Sequence, residues 1–186
     1  LGLPEENLIV IDNIPEDTTQ VTTAIDTLAN QGCNIIFGIS FGYIDAFDAA
    51  AKNEKYSDII FSHATGYLSS LPGESAGYKA QFNNYFGRIY QARYLAGVLA
   101  GLETTNGKIG YVASMENPEV NRGINAFTLG VKSIRNDAEV IACFTGSWND
   151  AEKEEKLTTD LIEKENVDII TYHLDDDRVA EIAEKY

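Results

Sequence analysis

Six short runs rich in Ile, Val, Phe and Tyr alternate along this chain with segments of helical periodicity, and that alternation constrains the fold more than anything else. The runs are Asn7 to Ile11, Asn34 to Ile39, Asp58 to Ser62, Lys108 to Ala113, Glu139 to Phe144 and Val167 to Tyr172. Most are near-continuous in apolar residues, the pattern of strands covered on both faces in a parallel sheet. Between them, Asp17 to Gln31 places Val21, Ala24, Ile25 and Leu28 on one helical face and stops at Gly32, a good C-terminal cap. Glu119 to Arg135 carries Val120, Ile124, Phe127, Val131 and Ile134 at helical spacing. Ala151 to Glu165 is charge-laced, with Leu157, Leu161 and Ile162 as its apolar stripe.

Tyr85 to Glu103 reads as the longest helix. Ala92, Ala96 and Ala100 recur every four residues, as do Gly97 and Gly101. Small residues at that spacing let one backbone lie close to another. Arg88, Gln91 and Arg93 argue against the membrane version of this pattern, so tight internal packing is expected.

Strand–helix alternation predicts an α/β fold with parallel sheets and right-handed crossovers. The chain divides near Thr104-Thr105-Asn106-Gly107, with a first α/β lobe over residues 1–104 and a second over 105–186. Two Rossmann-like lobes are the natural reading, and one six-stranded sheet is the competitor. At 186 residues, 44% of them hydrophobic, the chain can bury one sizeable core or two small ones.

Charge and cysteine content exclude more than they assign. With 29 acidic against 14 basic residues, the net charge is -15, which disfavours nucleic acid as a partner. Cys33 and Cys143 fit no metal-ligand spacing and read as buried free thiols. No apolar stretch is long enough to span a membrane. Leu1-Gly2-Leu3-Pro4 resembles the tail of a helix followed by a loop, and a segment upstream is expected.

In open α/β sheets, ligands sit beyond the carboxyl ends of the strands. Five loops lie there: Ser40 to Tyr43, His63 to Tyr67, Ser114 to Glu119, Thr145 to Asp150, and His173 to Asp176. The only tryptophan, Trp148, stands in the fourth, between Gly146 and Asp150. It offers a flat face for a planar ligand, with carboxylates nearby to accept hydrogen bonds; covering the following helix is the plainer role. Asn149 or Asp150 is expected to cap that helix. Phe41 offers a second aromatic surface or simply covers a sheet end. His63 and His173 fall at strand ends, one in each half, as ligand contacts or local structural bonds. Two histidines are too few to argue for zinc, so neither metal nor cofactor is expected. The acidic run Asp175 to Asp177 suits a helix N-terminus. No GxSxG elbow, P-loop, HExxH or GxGxxG occurs, which favours binding without chemistry.

Longer strings carry a resemblance. Phe86-Gly87-Arg88-Ile89-Tyr90-Gln91-Ala92-Arg93-Tyr94-Leu95-Ala96-Gly97-Val98-Leu99-Ala100-Gly101 is similar to a helix of the basic membrane protein (BMP) family of receptors. Gly107 to Ala113, Pro118-Glu119-Val120, Gly123 to Gly130, Gly146 to Asp150 and Ser40 to Tyr43 match it too. The resemblance covers nearly the whole chain and implies a type I periplasmic-binding-protein fold, with two lobes closing on a ligand. It implies a lipid-anchored receptor on the extracellular face of the membrane or in the periplasm. Such a receptor passes a purine nucleoside or base to the permease subunits of an ABC importer. By the same resemblance Trp148 stacks on the base, Ser40, Phe41 and Asp150 line the cleft, and His63 and Asp175 contribute. The family's first strand and the later part of its second lobe have no counterpart here, so an incomplete portion of the fold is expected. A sensory or regulatory module of the same fold is the alternative, and an enzyme of nucleoside metabolism a third possibility.

Overall fold

The computed structural model describes residues 2–65 and 81–186. The chain forms two compact units, Leu1–Gly87 and Arg88–Tyr186, each built on a three-stranded, all-parallel sheet. Two parallel α/β units, rather than one six-stranded sheet, agree with the expectation from periodicity.

In the first unit, α1 (Thr18–Asn30) leads into β1 (Ile35–Gly38), α2 (Ile44–Lys52), β2 (Ile60–Ala64) and β3 (Phe82–Tyr85). Asp17 caps α1 by accepting from the Gln20 N–H, and Gly32 leaves the helix at φ +84°, a conformation that costs glycine little. The core collects Val21 and Ile25 of α1, Ile36 of β1, Phe47 of α2 and Phe61 of β2. Gly38 lies so close to the Phe47 ring that a Cβ would fall 2.4 Å from it.

Two sequence expectations fail here. Asn7 to Ile11 forms no strand: a single 3-10 turn covers Glu5–Asn7, and Leu8 to Ile11 remain exposed without a ladder partner. A strand needs a neighbour to satisfy its backbone groups, and apolar content alone does not provide one. Conversely, Phe82–Tyr85 pairs with β2 as the third strand, although Phe-Asn-Asn-Tyr carries little strand signal. The following helix, α3 (Ile89–Glu103), therefore begins later than its periodicity suggested.

The second unit runs α3, β4 (Lys108–Ala113), α4 (Pro118–Ile134), β5 (Glu139–Phe144), α5 (Ala151–Glu163), β6 (Ile169–His173) and α6 (Arg178–Ala183). The order β5-β4-β6 puts β4 at the centre. Alternation along β4 then builds two cores. Ile109, Tyr111 and Ala113 pack with Val120, Phe127 and Val131 of α4, while Val112 packs with Leu161 of α5 and Val179 of α6. The helix α4, at 17 residues, is longer than α3 at 15.

The small residues of α3 meet α4 backbone to backbone. A Cβ on Gly97 would lie 2.0 Å from the Phe127 carbonyl oxygen, and one on Gly130 would lie 2.1 Å from that of Tyr94. This contact makes α3 part of the second compact unit, so the units divide before α3 and not after Thr104. Downstream, the carboxylate of Asp168 accepts from Thr104 Oγ1 and Thr105 Oγ1 and from the N–H groups of Thr105 and Asn106. Those bonds tie the α3–β4 turn to the start of β6.

Candidate functional site

The carboxyl ends of β4, β5 and β6 converge because parallel strands all finish at the same edge of their sheet. Each contributes a polar loop. Ser114, fully buried, follows β4; Asn117 then caps α4 by accepting from the N–H groups of Glu119 and Val120, both at 3.0 Å. Pro118 occupies the first turn, where no backbone donor is needed. The result places the Glu119 carboxyl, 9% exposed, beside the end of β6. There His173 Nε2 lies 3.9 Å from Glu119 Oε1.

Trp148 stands over this corner. It is half-buried, packs on the α4-side core and meets the His173 ring edge-on at 5.7 Å between centroids. Its loop is held from several directions. The Asp175 N–H donates to the Trp148 carbonyl at 2.9 Å. Thr145 Oγ1 donates to the Ser147 carbonyl and Ser147 Oγ to that of Asn149. Asn149 Nδ2 donates to Asp176 Oδ2 at 3.0 Å. The expected N-cap is Asp150: it accepts from the Lys153 N–H and ion-pairs with Lys153 Nζ at 3.0 Å, bonds that hold its carboxyl below the usual range. Asp175 is exposed beside Trp148, and its charge opposes ionisation of Glu119.

Glu119 and His173 do not form an ion pair. Burial pushes the Glu119 carboxyl up to about 7 and, with help from the Arg93 charge, holds the His173 imidazole down at about 4. An ion pair would move both the other way. Through the weakly acidic range both are neutral, which gives the corner a carboxylic acid and an imidazole. Arg93 of α3 completes the surroundings. Its Nη1 donates to the Tyr172 carbonyl at 2.9 Å, and its guanidinium carbon lies 6.0 Å from the centre of the Tyr111 ring. Tyr111 Oη, Ser114 Oγ, Glu119 Oε2 and His173 Nδ1 are buried and accept or donate no hydrogen bond among the described residues. Such groups are costly unless something pairs with them.

In the first unit, His63 is fully buried and committed at both ring nitrogens. Nε2–H donates to the Ser40 carbonyl at 2.8 Å, and Nδ1 accepts from Asn84 Nδ2 at 3.2 Å. It braces the Ser40 loop from behind. Ser40 Oγ is bonded to the Glu16 carboxylate, whose Oε1 also accepts from the Gly42 N–H at 2.8 Å. Phe41 is half-buried in the 3-10 turn Phe41–Tyr43. Gly66 and Tyr67 of the second candidate loop lie outside the described residues.

Trp148, Asp150, Asp175 and His173 are thus brought together on one unit, and Ser40, Phe41 and His63 on the other. Sequence reasoning singled out neither Glu119 nor Glu154. The signal for Glu119 was its position at a strand end after Asn117-Pro118. Glu154 gave none, since it stands in a charge-rich helix whose acidic residues read as solvated. Among the described residues no cluster of His, Cys, Asp and Glu could hold a metal, and both cysteines are free and half-buried.

Comparison with known proteins finds relatives in sequence and in fold. The profile of the Bmp family, described as ABC transporter substrate-binding protein PnrA-like, matches residues 6–185. A protein of Brucella abortus named a purine-binding protein is 36% identical over 93% of this chain and 46% of its own length. A Haloferax volcanii protein named a putative ABC transporter glucose-binding protein is 37% identical over 87% of this chain and 37% of its own. The chain therefore spans less than half the length of these relatives. A solved ABC transporter solute-binding protein from Aeropyrum pernix superposes with a TM-score of 0.71 over 92% of this chain and 48% of that one. At 16% identity that likeness speaks for the fold alone: the α/β, parallel-sheet fold of solute-binding proteins, of which this chain spans a part.

Proposed function

Because the chain belongs to the Bmp family of PnrA-like ABC transporter substrate-binding proteins, we propose that it is the ligand-binding portion of a receptor outside the cytoplasmic membrane. On this reading it delivers a purine nucleoside or base to the permease subunits of an ABC importer. The observation that carries the proposal is Trp148, held at the strand ends of its sheet with a neutral imidazole at its edge and Asp175 alongside. A planar heterocycle gains from such an indole face through stacking. The buried hydrogen-bonding groups beneath it match the donors and acceptors of a base or sugar better than an apolar solute. The relative named for purine binding points to the same ligand class.

On this reading the role is capture without bond-making. On the first unit, Ser40 and Phe41 offer a polar and an aromatic group at the strand ends of its own sheet, and Asp150 acts mainly by fixing the Trp148 loop. Isothermal titration with adenosine, guanosine, inosine and free purine bases, with glucose in parallel, tests the proposal. Saturable heat from at least one purine is expected. Heat from glucose alone, or from none of them, counts against a purine receptor.

A further inference from the structure

Glu154 is fully buried one turn into α5, and the charged side chains that act on it are those of Asp150 and Asp176. Its Oε1 accepts from the Asp150 N–H at 2.8 Å, which secures the backbone next to the Trp148 loop. Its Oε2 is buried and meets no donor among the described residues. What approaches it is the carboxyl of Asp176, in the loop after β6. Two carboxylates are both acceptors, so they can share a hydrogen bond only if one carries a proton. The groups facing Glu154 are Asp150, at the head of its own helix, and Asp176, and both are acidic. Nearby cations are engaged elsewhere. Lys153 Nζ is held by Asp150 and the Thr145 carbonyl, and the Arg178 guanidinium faces Glu181 at 3.6 Å.

Asp176 belongs to the loop that follows β6. It accepts from Asn149 Nδ2 and from the Arg178 N–H, both at 3.0 Å, and the Asp175 N–H beside it donates to the Trp148 carbonyl. We propose that Glu154 is a positioning residue: as the neutral acid it joins the loop carrying Trp148 to the loop carrying Asp175 and Asp176, and on ionising it releases them. Burial and the two acidic neighbours raise its pKa, consistent with the proton staying on. Its consequence for ligand affinity rests on the receptor reading above; the coupling of the two loops does not.

Trp148 is the only tryptophan, so its emission reports the loop directly, without ligand. Glu119 also titrates beside it, so the comparison is made in the full chain carrying E119Q, with and without E154Q. From about pH 5 to about pH 9, E119Q is expected to red-shift as the loop opens and exposes the indole. E119Q/E154Q is expected to hold the low-pH emission throughout, because the amide keeps a donor toward Asp176. A flat emission in E119Q, or an equal shift in both, overturns the proposal. Glu154→Ala should show the red-shifted emission at every pH; should it fail to fold, the glutamine comparison still decides. Purine titration then separates the two ideas. Binding with a flat emission sinks the coupling alone, and a Glu154-dependent shift without binding sinks the receptor reading alone.

Discussion

Replacing Glu119 with glutamine should stabilise the second unit, and only above weakly acidic pH. The carboxyl is 9% exposed, and burial raises its pKa from the ordinary 4.5 to about 7. In the unfolded chain the proton leaves near the ordinary value, while the folded chain retains it until about 7. Between those values the unfolded state sheds a proton the folded state keeps, so stability falls as pH rises through the window. Above the folded value the penalty levels off. Each tenfold difference in proton affinity between the two states is worth about 1.4 kcal/mol, which puts the ceiling at about 3 kcal/mol. Residual contact with solvent reduces that to roughly 2 kcal/mol. Glutamine preserves the shape and neutrality of the acid and removes the titration. Urea unfolding followed by Trp148 emission reads the second unit specifically. At about pH 5, E119Q and the unsubstituted chain should differ by less than about 1 kcal/mol; near pH 8 the variant should be more stable by about 2 kcal/mol. His173 titrates near 4, below this window, and contributes equally to both. A difference independent of pH would falsify the assignment of Glu119 as a buried neutral acid.

Three further outcomes follow from other contacts. Trp148→Ala should weaken a bound purine by about 1–3 kcal/mol through loss of stacking, read by titration calorimetry; unchanged affinity in the folded variant would make the indole purely structural. Gly97→Ala sets a methyl 2.0 Å from the Phe127 carbonyl oxygen. Overpacking of about 1–3 kcal/mol should outweigh the helical gain of about 1 kcal/mol, lowering the urea midpoint of the second unit; a raised midpoint would refute the close approach. Asp168, held down at about 2 by four hydrogen bonds, contributes stability that is present above the unfolded value near 3.9 and lost as pH falls toward 2. Because the group is largely exposed, Asp168→Ala should cost only about 1–2 kcal/mol at neutral pH. A cost that persisted unchanged in acid would show that the carboxylate charge is not its source.

Strands such as Lys108 to Ala113 and Glu139 to Phe144 were legible to the residue, because short apolar, β-branched runs bounded by turn residues favour strands; only the central first of the two is covered on both faces. The N-cap at Asp150 was legible too, as one of two candidates, since a carboxylate before a helical pattern can accept the free backbone N–H groups. Leu8 to Ile11 misled, as a strand exists only where another strand offers its backbone. Phe82–Tyr85 was missed for the converse reason: β2 recruits it, and its own composition does not announce it.

What the sequence by itself determined is therefore most of the local elements, the parallel character of the sheets and the loops that meet at their carboxyl ends, because periodicity and capping act over a few residues. Tertiary structure alone decided the roles of the polar side chains. A glutamate in a charged helix is indistinguishable from its neighbours until packing removes one from water: Glu152 and Glu155 stay exposed while Glu154 is fully buried. The same holds for His63 and His173, alike in position along their strands. One is spent on the Ser40 carbonyl and Asn84, and the other is left facing Trp148 and Glu119. Burial and partners set the protonation and reach of such groups, and both are properties of distant segments brought together.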